Sequence, residues 1–162
     1  MHSFPIVSTF CLVALLVSGY LRGIAQPALD TDGLNHLENV YWYALKSYCA
    51  TLDSSTNVVY VQKEAFVGSM WPTQYQNHAI QYLYEPKEYR KAIKKQGRAA
   101  IIVGIRPLQF QNGSFSVSVI PFGVSYSRRK LRFVNGGGWI VYFEYDPVKK
   151  GLVYQSSRWS SF

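Results

Sequence analysis

Residues 111 to 120 read Gln111-Asn-Gly-Ser-Phe-Ser-Val-Ser-Val-Ile120, and this stretch decides how the second half of the chain folds. Phe115, Val117 and Val119 alternate with Ser114, Ser116 and Ser118, the period-two pattern of a strand with one apolar and one polar face. Ahead of it, Ile101, Val103 and Ile105 alternate in the same way up to Pro107. Asn112-Gly113 between two such runs predicts a type I′ turn, because both residues tolerate positive φ. Downstream, Asn135-Gly-Gly-Gly138 and Asp146-Pro-Val-Lys-Lys-Gly151 read as two further turns. They separate strands over Leu131 to Val134, Trp139 to Tyr145 and Leu152 to Ser156.

Upstream of the meander the period changes. Leu34, Leu37, Tyr41, Leu45, Tyr48 and Leu52 recur three or four apart, which predicts one long amphipathic helix with Asp32 as its N-cap. Asp53-Ser-Ser-Thr-Asn57 breaks it and hands over to Val58-Val-Tyr-Val61, β-branched and aromatic enough for a strand. Ala65 to Asn77 has no clean period, and His78 to Tyr84 reads as a short strand. Pro86 suits the first position of a second, short helix and Gly97 its left-handed end, with Lys94 and Lys95 complementing the dipole in the last turn. The expected fold is therefore α+β: a long N-terminal helix packed on a curved antiparallel meander, with a second short helix. Strand and helix alternation of the kind a parallel nucleotide-binding sheet needs is not visible.

Ser3 to Leu21 carries no charged side chain, Leu12-Val-Ala-Leu-Leu-Val17 is strongly apolar, and Gly23-Ile-Ala25 places small residues where a signal peptidase requires them. We read residues 1–25 as a signal peptide, 26–30 as a short arm and 31–162 as a single domain. The alternative is an uncleaved anchor over residues 4–21. The chain has 162 residues and a net charge of +8, and cleavage after Ala25 would leave 137 residues at +7. Aromatic residues at 16% exclude a disordered chain, and two cysteines, Cys11 in the leader and Cys49, exclude a disulfide scaffold or a Cys-rich zinc module.

Ile105-Arg-Pro-Leu-Gln-Phe110, Asn112-Gly113, Phe115-Ser-Val-Ser-Val-Ile120, Val124-Ser-Tyr126, Gly137-Gly-Trp-Ile-Val-Tyr-Phe-Glu-Tyr-Asp146 and Trp159 together resemble a group of small exported bacterial proteins of unknown function. The motifs are strand and turn residues, so the resemblance implies a fold and an exported, periplasmic, envelope-associated or secreted location, not a chemistry. The element order is also similar to cystatin-like and NTF2-like architectures.

No catalytic, cofactor or metal constellation can be assembled from the sequence. His36 and His78 are far apart with no acidic cluster near either, no Gly-x-Ser-x-Gly elbow occurs, and Asn135-Gly-Gly-Gly138 joins strands instead of opening a helix. Asp53 and Glu144 are the candidates for acid/base work in an NTF2-like cavity, but Glu144 would face solvent if the Trp139 face of its strand packs on the helix. Cys49 lies on the flank of the apolar stripe as a buried thiol or, in an oxidising compartment, an intermolecular disulfide. Asn112-Gly-Ser114 also has the form of a glycosylation sequon.

Positive charge gathers in three places. Lys87, Arg90, Lys91, Lys94, Lys95 and Arg98 mark the short helix, Arg128, Arg129, Lys130 and Arg132 a hairpin, and Lys149 and Lys150 another turn. The first two clusters, Arg132 apart, form a candidate patch for anionic envelope lipid or polysaccharide, or for another envelope protein, ahead of nucleic acid; solvated surface is the competing account. The favoured function is a non-enzymatic binding or structural module, with an NTF2-like small-molecule-binding or acid/base enzyme as the alternative. The leader supplies the first expected outcome: N-terminal sequencing of the exported protein should begin at Gln26, and retention of residues 1–25 would mean an anchor.

Overall fold

The computed structural model describes residues 37–67, 71–97, 99–127 and 130–161, so the leader, Asp32 and His36 lie outside the described residues. Two helices, α1 (Leu37–Cys49) and α2 (Pro86–Lys95), accompany nine strands. In chain order the strands are β1 (Val58–Gln62), β2 (Gln74–Tyr75), β3 (His78–Leu83), β4 (Ala99–Ile105), β5 (Gln109–Gln111), β6 (Ser114–Ser127), β7 (Lys130–Asn135), β8 (Gly138–Asp146) and β9 (Gly151–Ser160). They form one sheet in the order β2-β3-β1-β4-β6-β8-β9, with β5 and β7 also paired to β6.

This corrects the expected fold in two respects. The sheet is mixed, because β1 runs parallel to both β3 and β4, and the described helix α1 has 13 residues, not a long span across an antiparallel meander. The run Val58-Val-Tyr-Val61 carried the missed signal. Val59, Tyr60 and Val61 are all buried, the uninterrupted apolar run of a strand covered on both faces, which is the habit of parallel strands. Strand β3, helix α2 and strand β4 form the crossover that places β4 parallel to β3 with β1 between them, so strand and helix do alternate here.

Each face of the sheet has its own core. On one face α1 packs with Val59, Val61, Val103, Ile105, Val117, Val119, Val141 and Phe143. On the other α2 packs with Tyr60, Leu83, Ala100, Ile102 and Val124. Helix α1 is enclosed on more than its sheet side. Tyr43 meets Phe143 and Tyr154, with centroids 5.9 and 5.4 Å away. Tyr41 stacks on Phe66 at 4.5 Å and Trp42 meets Trp71 at 5.7 Å, so the connection between β1 and β2 covers the outer side. Leu108 N donates to Tyr41 Oη and Trp139 Nε1 to Ser47 Oγ, tying the helix to the sheet by polar contacts at 3.0 and 2.9 Å.

The Asn112-Gly113 turn forms as the sequence indicates, with φ of 52° and 80° and Gln111 paired to Ser114. Asp146 to Gly151 is likewise a turn, held by Val148 N and Lys149 N donating to Asp146 Oδ1 at 2.8 and 3.1 Å. The Asn135 to Gly138 segment is different. Between Val119↔Trp139 and Phe122↔Asn135, β6 advances three residues and its neighbour four, so the glycines are a bulge within a nearly continuous strand and not a hairpin turn. On the other side of β6, Ile105↔Val119 and Gln109↔Ser116 show the same extra residue around Pro107.

Strand β6 thereby runs through Pro121. Arg106 N donates to the Ser118 carbonyl, so even-numbered residues of β6 address β4 and odd ones address β7 and β8. The missing N–H of Pro121 falls opposite the glycine bulge, where the ladder is already interrupted. A third irregularity, one extra residue at Gln155 of β9, brings Tyr154 and Trp159 onto the α1 face of the sheet despite their spacing.

Gly137 is the residue this arrangement cannot replace. It is buried at φ 145°, its N–H donates to Asn135 Oδ1, and a Cβ there would lie 2.5 Å from the Ser160 carbonyl oxygen. Gly137→Ala should cost on the order of 2 kcal/mol by urea denaturation, through a strained φ and a backbone clash. Gly136→Ala, where a Cβ meets nothing within 4 Å, should stay within about 0.5 kcal/mol. Equal effects at the two positions would show the bulge to be misplaced.

Candidate anion-binding face

Helix α2 begins at Pro86, and Glu88 closes its first turn by accepting from Tyr84 N at 2.5 Å and Glu85 N at 3.0 Å. Those two amides hold the Glu88 carboxyl below the usual glutamate range, ahead of the smaller pull of Lys87 and Lys91. Gly97, at φ 103°, follows the helix end. Burial of Tyr89, Ala92 and Ile93 fixes the rotation of the helix. At 100° per residue, Lys87, Arg90, Lys91, Lys94 and Lys95 must then face outward, and all five are exposed.

The cations divide around Lys91. On one flank Lys87, Arg90, Lys91 and Lys94 line a concavity of about 560 Å³ together with Ile93, Gly97 and Tyr126. The Arg90 guanidinium lies over the Tyr126 ring, 4.9 Å from its centroid. Tyr126 pairs with Leu131 and Ser127 with Lys130, so the β6–β7 hairpin stands beside the α2 cations through Tyr126. Lys87 pairs with Glu85 at 2.7 Å, an exposed contact of little energetic weight. Among the described residues, Arg90, Lys91, Lys94 and Lys95 have no acidic partner within ion-pair distance.

Lys95 turns to the other flank, and Lys130 is exposed at the start of β7. Arg98, Arg128 and Arg129 lie outside the described residues. Lys149 and Lys150 stay apart, because their turn joins β8 to β9 beyond the Phe115 end of β6, whereas the Ser127 end carries the hairpin. Sequence reasoning did not find Tyr126 or Tyr60. Tyr60 lines the second concavity, and its buried hydroxyl has no hydrogen-bond partner, a state that costs about 1–3 kcal/mol.

The remaining candidates do not converge on a reaction centre. Asp53 is exposed in a turn, and Glu144 is exposed on β8 while Val141 and Phe143 of that strand are fully buried. His78 is buried, with Nδ1 2.5 Å from the Thr56 carbonyl oxygen, so that nitrogen carries the hydrogen and the ring pins the turn before β1. Among the described residues no group of three or more His, Cys, Asp or Glu is placed to hold a metal.

Cys49 is a free thiol with no exposed surface. Burial pushes it from 9.0 up to about 12. Burial likewise raises Tyr43 from 10.0 to about 12, with help from the Tyr154 phenol, and Tyr48 to about 12, with help from Cys49. For groups held above their unfolded values, the stabilisation is complete below the unfolded pKa and lost as pH rises towards the folded one. The urea midpoint should therefore fall between pH 9 and pH 12. Folded protein at mildly alkaline pH should leave a thiol reagent unreacted until denaturant is added. Rapid labelling of Cys49 without denaturant would contradict the enclosed helix.

No family model matches the chain, and neither a curated protein nor a solved structure matches it.

Proposed function

We propose that the protein is an exported, non-enzymatic binding module of the cell envelope or extracellular space, and that the concavity beside α2 takes an acidic polysaccharide. The observation that carries this reading is the convergence of Lys87, Arg90, Lys91 and Lys94 with Tyr126 on one hollow, three of the four cations lacking an acidic partner among the described residues. A polyanion is drawn by the summed field of such a cluster, and the Tyr126 ring offers a flat surface to a sugar ring. The concave shape suits a chain better than a bilayer. The outward face of α2 carries cations and no apolar side chain to insert between lipids, since Tyr89, Ala92 and Ile93 point inward.

The uncharged run before Arg22, with Gly23-Ile-Ala25 following it, supports export. Among the described residues no helix is long and apolar enough to cross a membrane. Exposure of Asp53 and Glu144 weighs against acid/base catalysis.

Polygalacturonate, a uronic-acid polymer, serves as the probe. Calorimetry should show binding at about 0.01 M salt that weakens strongly by about 0.15 M, where the Debye length falls to about 8 Å. Reversal of Lys87, Arg90, Lys91 and Lys94 to Glu should abolish it with the circular dichroism unchanged, whereas reversal of Lys149 and Lys150 should leave most of it. Binding to anionic vesicles but not to the polymer, or equal loss from the two sets of reversals, would overturn the proposal.

A further inference from the structure

The β6–β7 ladder is unbroken from Phe122↔Asn135 to Ser127↔Lys130. Odd-numbered residues of β6 address β7, so Lys130, Arg132 and Val134 bond to β6 through their backbones, and Leu131, Phe133 and Asn135 turn their N–H and C=O groups outward. Strand β9 covers the outer side of β8 but ends at Ser160, opposite Gly138. Strand β7 continues the line of β8 past that point, and no strand pairs with its outer side among the described residues. Five of its six residues are exposed.

The side chains beside this open row differ by face. Phe133 shares the α2 face with Leu131, and its half-exposed ring meets Tyr89 at 6.3 Å and Phe122 at 6.1 Å, both edge to face. Lys130, Arg132 and Val134 lie on the other face. There Val134, 70% exposed, stands in register with Gly123 and then with Ile101, which is also exposed, so an apolar row reaches the edge beside the two cations.

Native edges are blunted by bulges, by shortness or by charge. Strand β9 has its extra residue and β2 only two residues, whereas β7 is regular and relies on charge alone. Charge selects between partners instead of refusing every strand. A second copy would bring two sets of Lys130 and Arg132 onto one face of a joint ladder, where like charges repel, but an acidic strand meets complementary charge.

We propose that the outer edge of β7 docks an extended segment of a partner protein, one in which apolar and acidic residues alternate, added antiparallel as a further strand. Backbone bonds to Leu131 and Phe133 hold it. An apolar side chain opposite Phe133 joins the Tyr89, Phe122 and Phe133 rings, and acids opposite Arg132 and Lys130 form ion pairs. The inference is independent of the polysaccharide reading, because no residue of β7 lines either concavity.

The probe is the end-capped peptide Thr-Val-Val-Glu-Val-Glu, which when antiparallel sets its acids opposite Arg132 and Lys130. Thr-Val-Val-Val-Glu-Glu is the control without alternation. Titrated into the whole protein, the first should saturate at millimolar concentration or below and the control should bind about tenfold more weakly. Hydrogen exchange should slow on binding at the amides of Leu131 and Phe133, while those of Arg132 and Val134 are already protected by β6. Phe133→Pro removes an outward N–H and no bond to β6, so the fold should persist by circular dichroism and binding should fall at least tenfold. Arg132→Glu should weaken the first peptide about tenfold and favour Thr-Val-Val-Lys-Val-Glu. Reversal of Lys87, Arg90, Lys91 and Lys94 should leave most of the binding. Unchanged exchange at Leu131 and Phe133, equal affinity for the peptide and its control, or loss on the α2 reversals without loss on Arg132→Glu would overturn the assignment whatever the polysaccharide experiment gives. So would protection of those two amides in concentrated protein without peptide, which would give the edge to a second copy.

Discussion

Strand β6 pairs with four other strands, β4 and β5 along one edge and β7 and β8 along the other. A strand of 14 residues cannot stay flat and straight through such a sheet, since twist accumulates along every ladder. Here the twist is absorbed within a short stretch of β6. Both neighbours insert one extra residue, around Pro107 opposite residues 116–119 and at Gly136 and Gly137 opposite residues 119–122, where Pro121 lies. The two ends of β6 consequently serve different cores. Val117 and Val119 pack under α1, while Val124 packs under α2.

That division explains why so few helical residues suffice. Residues 40–49 of α1 lie between the sheet and Phe66 and Trp71, so three successive aromatic residues, Tyr41, Trp42 and Tyr43, all find aromatic neighbours. Helix α2 is the reverse case. It is polar on most of its circumference and is held by Tyr89, Ala92 and Ile93 alone, with its start fixed by Glu88. A helix anchored along one narrow strip leaves a hollow on either side, and the two concavities are those hollows.

Local signals made part of this legible in the sequence. Asn112-Gly113, Pro86 and Gly97 act through the φ angles their own backbones allow, and the structure places each where that chemistry requires. The spacing of lysines along residues 87–95 identified the exposed side of α2 for the same reason. Long-range facts were not legible. Val58-Val-Tyr-Val61 marks a strand covered on both faces but does not say which strands flank it, and nothing in Asn135-Gly-Gly-Gly138 separates a bulge from a turn until β6 is seen to continue past Pro121. The unpartnered Tyr60 hydroxyl was invisible in the sequence because only three-dimensional neighbours define a missing hydrogen bond. The apolar stripe begins at Leu34, and its first residues lie outside the described part of the chain.

The extra residue at Gln155 has a consequence for how copies of this chain behave in a crowd. Strand β9 ends the sheet order, so its outer row of amides and carbonyls has no neighbouring strand among the described residues. A regular ten-residue edge would be a template for another molecule's strand, and thus for aggregation. An irregular one breaks the hydrogen-bond rhythm near its middle, so an incoming strand can keep register over only half its length. The bulge that turns Tyr154 toward α1 thereby also helps keep the protein's most exposed edge from recruiting its own kind.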